Sequence, residues 1–139
     1  MSTGQGKEKL PEIGIFACFS GGSNTGSIAG LAALEAVRRL GNEQVGVCSL
    51  PAILNRVPRQ SALIKNIEKF IIIDGCHNAC AKQLLKSVGI EPTIYINLER
   101  NLGIPKQGPF SGINFTEQEI QKVVDALIAA VSTVTSTSP

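Results

Sequence analysis

Residues 70–85, FIIIDGCHNACAKQLL, decide how the chain is read. Phe70 to Ile73 are aromatic and β-branched without a polar break, as in a strand covered on both faces. Asp74-Gly75 ends that run as a turn. The segment NACAKQLLKSVG, from Asn78 to Gly89, then reads as a short helix stopped by Gly89, with Pro92 just beyond. A strand followed at once by a helix is half of a βα unit, and the same pattern recurs on either side.

Upstream, IGIFACF (13–19) is a second apolar run, followed by the turn-rich SGGSNTGS and the helical spacing of SIAGLAALEAVRRL (27–40), which Gly41 ends. VGVCSL (45–50) is a strand. Pro51 opens an irregular stretch to Pro58, and RQSALIKNIEKF (59–70) is helical, with Ala62, Ile64 and Ile67 inward. TIYINL (93–98) is the fourth strand. The 18 residues from Glu99 to Thr116 hold no clear element. Thr116 and Glu119 then form a capping box. Ile120, Val123, Val124, Leu127, Ile128 and Val131 repeat on one helical face.

Strand and helix alternating four times predicts an α/β fold: a single three-layer α/β/α domain over 12–131 with a four-stranded parallel sheet. Right-handed crossovers and analogy with doubly wound sheets give the strand order 2-1-3-4. Residues 1–11 are expected to be flexible, and the low-complexity 132–139 to be a disordered tail.

Composition narrows the function. The chain has 139 residues, 17% of them charged, and a net charge of +2. No basic stripe for nucleic acid is visible. With one Tyr, five Phe and no Trp, a stacking platform for single strands is not expected either. No apolar run reaches the length of a membrane span. The opening MSTGQGKEKLPE lacks the apolar segment of a secretory signal, so a cytoplasmic protein is expected. Four cysteines in such a chain point to metal or catalysis before a disulfide framework.

Those cysteines fall at equivalent places. Cys18 closes the first strand, Cys48 the second, Cys76 follows the third by two residues, and Cys80 lies in the next helical turn. Parallel strands end on one sheet edge and sit about 4.8 Å apart, so in the order 2-1-3 three thiols fall within about 10 Å of one another. Cys80 can close the set from the side, about one helical turn from Cys76. Four thiolates suit tetrahedral zinc. They also suit an iron–sulfur cluster. Alternatively Cys76 and Cys80 cycle as a disulfide, which makes thiol oxidoreduction the enzymatic reading; no hydrolase or kinase signature is present. The plain alternative is four small hydrophobes filling a core.

The segments ACFSGGSNTGSIA, VGVCSLPAI and DGCHNACAKQLL together resemble the DGC-domain proteins, a family described as zinc-binding and named for Asp74-Gly75-Cys76 as they stand here. The similarity runs from about Ile13 to Val131. It implies that Cys18, Cys48, Cys76 and Cys80 are the family's chelating cysteines. Two departures stand out. His77 and Asn78 fill a span where a proline often sits, and SLPAILNR replaces a glycine-rich stretch after Cys48.

Other residues carry weaker signals. GGSNTG (21–26) has the outline of a phosphate loop without its lysine. Its backbone, with Ser20, Gly21, Gly22, Ser23 and Asn24, is a candidate anion cradle at a helix start; the plain reading is a turn capped by Ser23 or Asn24. A tyrosine-phosphatase loop with Cys18 as nucleophile would need arginine where Asn24 stands. Asp74 reads as an outward acid bracing the Cys76 turn, Gly75 as the residue that permits it, and His77 as ligand or bystander. Arg56, Arg59 and Lys82 are expected near the thiol edge. Phe110 or Phe115, in the long connection, are candidates to cover it.

Overall fold

The computed structural model describes residues 9–136. It has four strands and six helices: β1 Ile13–Ala17, α1 Asn24–Leu40, β2 Val45–Val47, α2 Leu50–Leu54, α3 Pro58–Ile64, β3 Lys69–Asp74, α4 Cys80–Lys86, β4 Ile94–Asn97, α5 Leu98–Leu102 and α6 Glu117–Ser136. All pairings are parallel, in the order β2-β1-β3-β4. Ile13 faces Val45 on one side and Lys69 on the other, and Ile71 faces Ile94. The expected single-domain α/β fold and strand order are therefore observed.

Alternation along the strands divides the core in two. Ile13, Ile15, Ala17, Ile71, Ile73 and Ile96 face α1 and α6. Four alanines of α1, Ala29, Ala32, Ala33 and Ala36, are fully buried there, and their small side chains let the helix lie close to the sheet. Val123, Val124, Leu127 and Val131 supply the facing surface of α6, as the periodicity predicts. The capping box of α6 is also present: Thr116 N donates to Glu119 Oε1 at 2.9 Å, and Glu119 N to Thr116 Oγ1 at 3.1 Å. On the opposite sheet face Phe16, Phe70 and Ile72 pack with Ile53, Ile67, Ala81 and Leu85. Phe16 and Phe70 stack tilted, 5.6 Å apart. No helix among the described residues is long and apolar enough to cross a membrane.

Several elements differ from expectation. α3 ends at Ile64, Ala62 is exposed, and Ile67 reaches the core from the loop before β3. The stretch after Cys48 contains α2, whose Ser49 accepts from Ala52 N and whose Pro51 suits the first turn. The long connection begins with α5: Asn97 caps it by accepting from Arg100 N, and Gly103, at φ 67, ends it. α6 runs past Val131 to Ser136, because Val134 is buried and the Thr135 hydroxyl bonds back to the Val131 carbonyl. The rest of the expected tail, residues 137–139, and residues 1–8 of the expected flexible start lie outside the described residues. Pro11, at the end of that start, lies against Gly46 of β2.

Candidate metal centre

At the carboxyl edge of the sheet a cavity of about 780 Å³ opens between the ends of β1 and β2 and the start of α4. Cys18, Cys48 and Cys80 all line it, amid Val47, Leu50 and Ala81, with the half-exposed Phe19 and Leu84 at its rim. Three thiols far apart in sequence thus share one apolar space; two of them, Cys18 and Cys48, come from strand ends, and the third is Cys80 in place of Cys76. Cys76 does not line it. Among the described residues no three His, Cys, Asp or Glu side chains are gathered closely enough to hold a metal ion.

The three cavity thiols differ in surroundings. Burial pushes Cys18 above the ordinary thiol range. The amides of Ser20 and Gly75, which donate to its sulfur, oppose that shift, and the nearby charges of Asp74 and Cys80 add to it. Cys48 lies deeper, with its Sγ over Gly14: a Cβ built on Gly14 would be 2.8 Å from that sulfur and 2.9 Å from the Phe70 ring. Burial pushes Cys48 up to about 11, against a smaller lowering by the Ile15 amide. Cys80, at the first position of α4, is exposed.

The Cys48 shift has a consequence for stability. The unfolded thiol ionises near its ordinary value of 9.0, while the folded one stays protonated to about 11. Folding is therefore fully supported below about pH 9 and loses support as pH rises toward 11, by on the order of 2 kcal/mol. Denaturant titrations of the metal-free protein at pH 8 and pH 11 are expected to show that fall. In Cys48→Val the alkaline loss should shrink; equal slopes in the two proteins would contradict the assignment.

Asp74 is not outward. It is 1% exposed and caps α4 from beneath: Oδ1 accepts from Ala81 N at 2.8 Å, and Oδ2 from Lys82 N at 3.0 Å and Tyr95 OH at 3.0 Å. Burial, with the Asp74 carboxylate acting against deprotonation, pushes Tyr95 up to about 12 even though Asn97 also bonds to its hydroxyl. The Lys82 ammonium lies 4.5 Å above the Tyr95 ring. Gly75 is required by proximity, not by a left-handed turn. A Cβ there would come within 2.7–2.8 Å of the Thr25 and Gly26 backbone.

Cys76 is half-buried outside the cavity lining. Lys106 Nζ donates to its sulfur at 3.6 Å. His77, beside it, is held by Glu99, whose Oε1 accepts His77 N at 2.7 Å and meets Nδ1 at 2.9 Å. That hydrogen bond lowers the Glu99 carboxyl from its ordinary range. The SGGSNTG loop is a capped turn: Ser23 Oγ accepts from Gly26 N. Asn24, fully buried, is spent on the connection after α5. Its Nδ2 donates to the Pro105 carbonyl, its Oδ1 accepts from Gln107 N, and its own N–H donates to Ser111 Oγ. Gly112 lies directly on the Gly21 carbonyl. Of the candidate anion cradle, Ser23 and Asn24 are thus buried and engaged by the chain itself, while Ser20, Gly21 and Gly22 are exposed.

The expected shield is absent from the thiol edge: Phe110 is 95% exposed and Phe115 packs on the α1/α6 core. Arg56 borders a different cavity, with Phe70 and Val88. Sequence reasoning missed Glu99, Asn97 and Lys106 as neighbours of Cys76. The motif NLERNLG, an asparagine cap and a glycine stop around four helix formers, was the available signal for α5.

The DGC-domain family model matches residues 14–127, most of the chain, and the protein belongs to that family. No curated protein and no solved structure matches it.

Proposed function

We propose that this DGC-domain protein binds a thiophilic metal ion, zinc by preference, in the cavity that Cys18, Cys48 and Cys80 line, and acts in a reducing compartment such as the cytoplasm. The observation that carries the reading is the convergence of three thiols from three separate βα units on one cavity. Sulfur donors with no carboxylate or imidazole among the lining residues select a soft or borderline ion. The fourth cysteine expected as a ligand, Cys76, is engaged by Lys106 outside the cavity. The three sulfurs are not gathered closely enough to hold an ion as they stand, so binding would draw them together; a three-thiolate site leaves a position open, which suits capture and release of metal better than a closed structural centre. Because Cys18 and Cys48 are held protonated by burial, metal uptake releases protons and strengthens as pH rises.

Metal analysis of anaerobically purified protein is expected to give close to one zinc per chain, and Cys48→Ser is expected to lower it severalfold. Metal content unchanged by Cys18→Ser, Cys48→Ser and Cys80→Ser alike would sink the reading. Visible absorbance with bound iron would replace zinc by an iron–sulfur cluster. A second reading, thiol–disulfide exchange, is favoured by one observation: Cys18 and Cys80 share the cavity. It predicts a dithiothreitol-reversible link between those two residues, not the Cys76–Cys80 pair that sequence spacing suggests.

A further inference from the structure

A second cavity, of about 700 Å³, opens on the sheet face that carries Phe70 and shares no lining residue with the thiol cavity. Its floor is apolar: Ile53, Ile67 and Phe70 are buried there, with Ile90 beside them. Its rim is charged with both signs. The segment that runs from α2 past α3 brings Arg56 and Lys65. The entry to β3 and the turn before β4 bring Glu68 and Glu91. All four are exposed. Among the described residues none of the four is in an ion pair, whereas Lys9 with Glu43, and Glu35 with Arg38 and Arg39, do pair.

Two helices end at this cavity by the same motif. After α4, Ile90 N donates to the Leu85 carbonyl at 2.9 Å, and the left-handed residue is Gly89, at φ 83. After α2, Val57 N donates to the Ala52 carbonyl at 3.0 Å, but the left-handed residue is Arg56, at φ 57. That conformation favours glycine, so the turn itself gives no reason for a guanidinium there. A cation at the cavity does. Charge of one sign would select an ion of the other. Both signs over an apolar floor select a dipolar molecule with an apolar body. We propose that this cavity binds a short free peptide with apolar side chains. Its carboxylate meets Arg56 and Lys65, its ammonium meets Glu68 and Glu91, and its side chains cover Ile53, Ile67 and Phe70. The volume lies in the range of sites for whole small molecules and exceeds what a single amino acid fills. The inference does not rest on metal binding by the thiols.

The test titrates the full chain with the dipeptide leucyl-leucine and follows the backbone amides by NMR. Saturable shifts are expected at Arg56, Ile67 and Val88, with none at Cys18 or Cys80. Capping the peptide's carboxylate as an amide, or its amine by acetylation, should weaken binding about three- to tenfold each. Glycyl-glycine, which has both charges and no apolar body, should not saturate. The double variant Arg56→Gln, Lys65→Gln should bind leucyl-leucine as weakly as the unaltered chain binds its amide, and should lose nothing further on that amide. Glu68→Gln with Glu91→Gln should behave in the same way toward the acetylated peptide. Absence of saturable shifts with leucyl-leucine, or equal binding of the capped and uncapped peptides, would overturn the proposal. Zinc stoichiometry, read on the same proteins, should not move with these variants, so the two readings fail separately.

Discussion

Asp74→Ala is expected to destabilise the protein by about 3–5 kcal/mol, because it strips the shared acceptor from several buried donors at once. The Ala81 and Lys82 amides and the Tyr95 hydroxyl all point at this carboxylate. Ala81 is itself buried, so its amide would be left without an acceptor. The amides belong to the first turn of α4, where an anion also meets the positive end of the helix. Asp74→Asn keeps one acceptor oxygen and should lose less, about 2 kcal/mol, and Tyr95→Phe, which removes only the phenol, about 1 kcal/mol. Urea unfolding of the three variants checks the order. A loss below about 1 kcal/mol for Asp74→Ala would show that the carboxylate is not the keystone of this edge.

Gly26→Ala should be comparably damaging for a steric reason. A Cβ on Gly26 would lie 1.9 Å from the Ser20 carbonyl oxygen and 2.8 Å from its carbon. Both are backbone atoms of the loop that carries Cys18 into α1, so no side-chain rotation relieves the clash. Either the loop or the helix must move, at a cost of about 3 kcal/mol or more. Because Gly75 touches the same helix start from the other side, movement there also disturbs the Cys18 cavity. Gly108→Ala, where nothing lies within 4 Å of a new Cβ, is the matched control and should be neutral. Thermal melts that place Gly26→Ala with the control would refute the close approach.

The layered fold was legible because its signals are local and repeated. Ile13 to Ala17 and Phe70 to Ile73 are apolar on both faces, and only a doubly covered parallel strand wants that pattern. The strand order came from analogy with doubly wound sheets. The short helices α2 and α5 were hidden because five residues carry no periodicity; their only marks are the caps at Ser49 and Asn97. At the site, counting strand ends grouped Cys18, Cys48 and Cys76 with Cys80 at the side, whereas the cavity holds Cys18, Cys48 and Cys80. The environment of Cys76 was not legible. It depends on Lys106, 30 residues away, and on a loop whose path is set by the buried Asn24. Asp74 was assigned its hydrogen-bonding role but not its burial, because nothing local announces that Tyr95 and the α4 amides close over it.

The central position of β1 bears on how the protein is made. The segment Ile13–Ala17 hydrogen-bonds to a strand on each side, yet both neighbours, Val45–Val47 and Lys69–Asp74, are translated after it. A nascent chain leaving the ribosome therefore carries an unsheltered, aggregation-prone apolar ribbon until about 60 more residues have emerged. Translation stalled before Asp74 leaves that ribbon without its second flank, and such fragments are natural clients for chaperones and proteases.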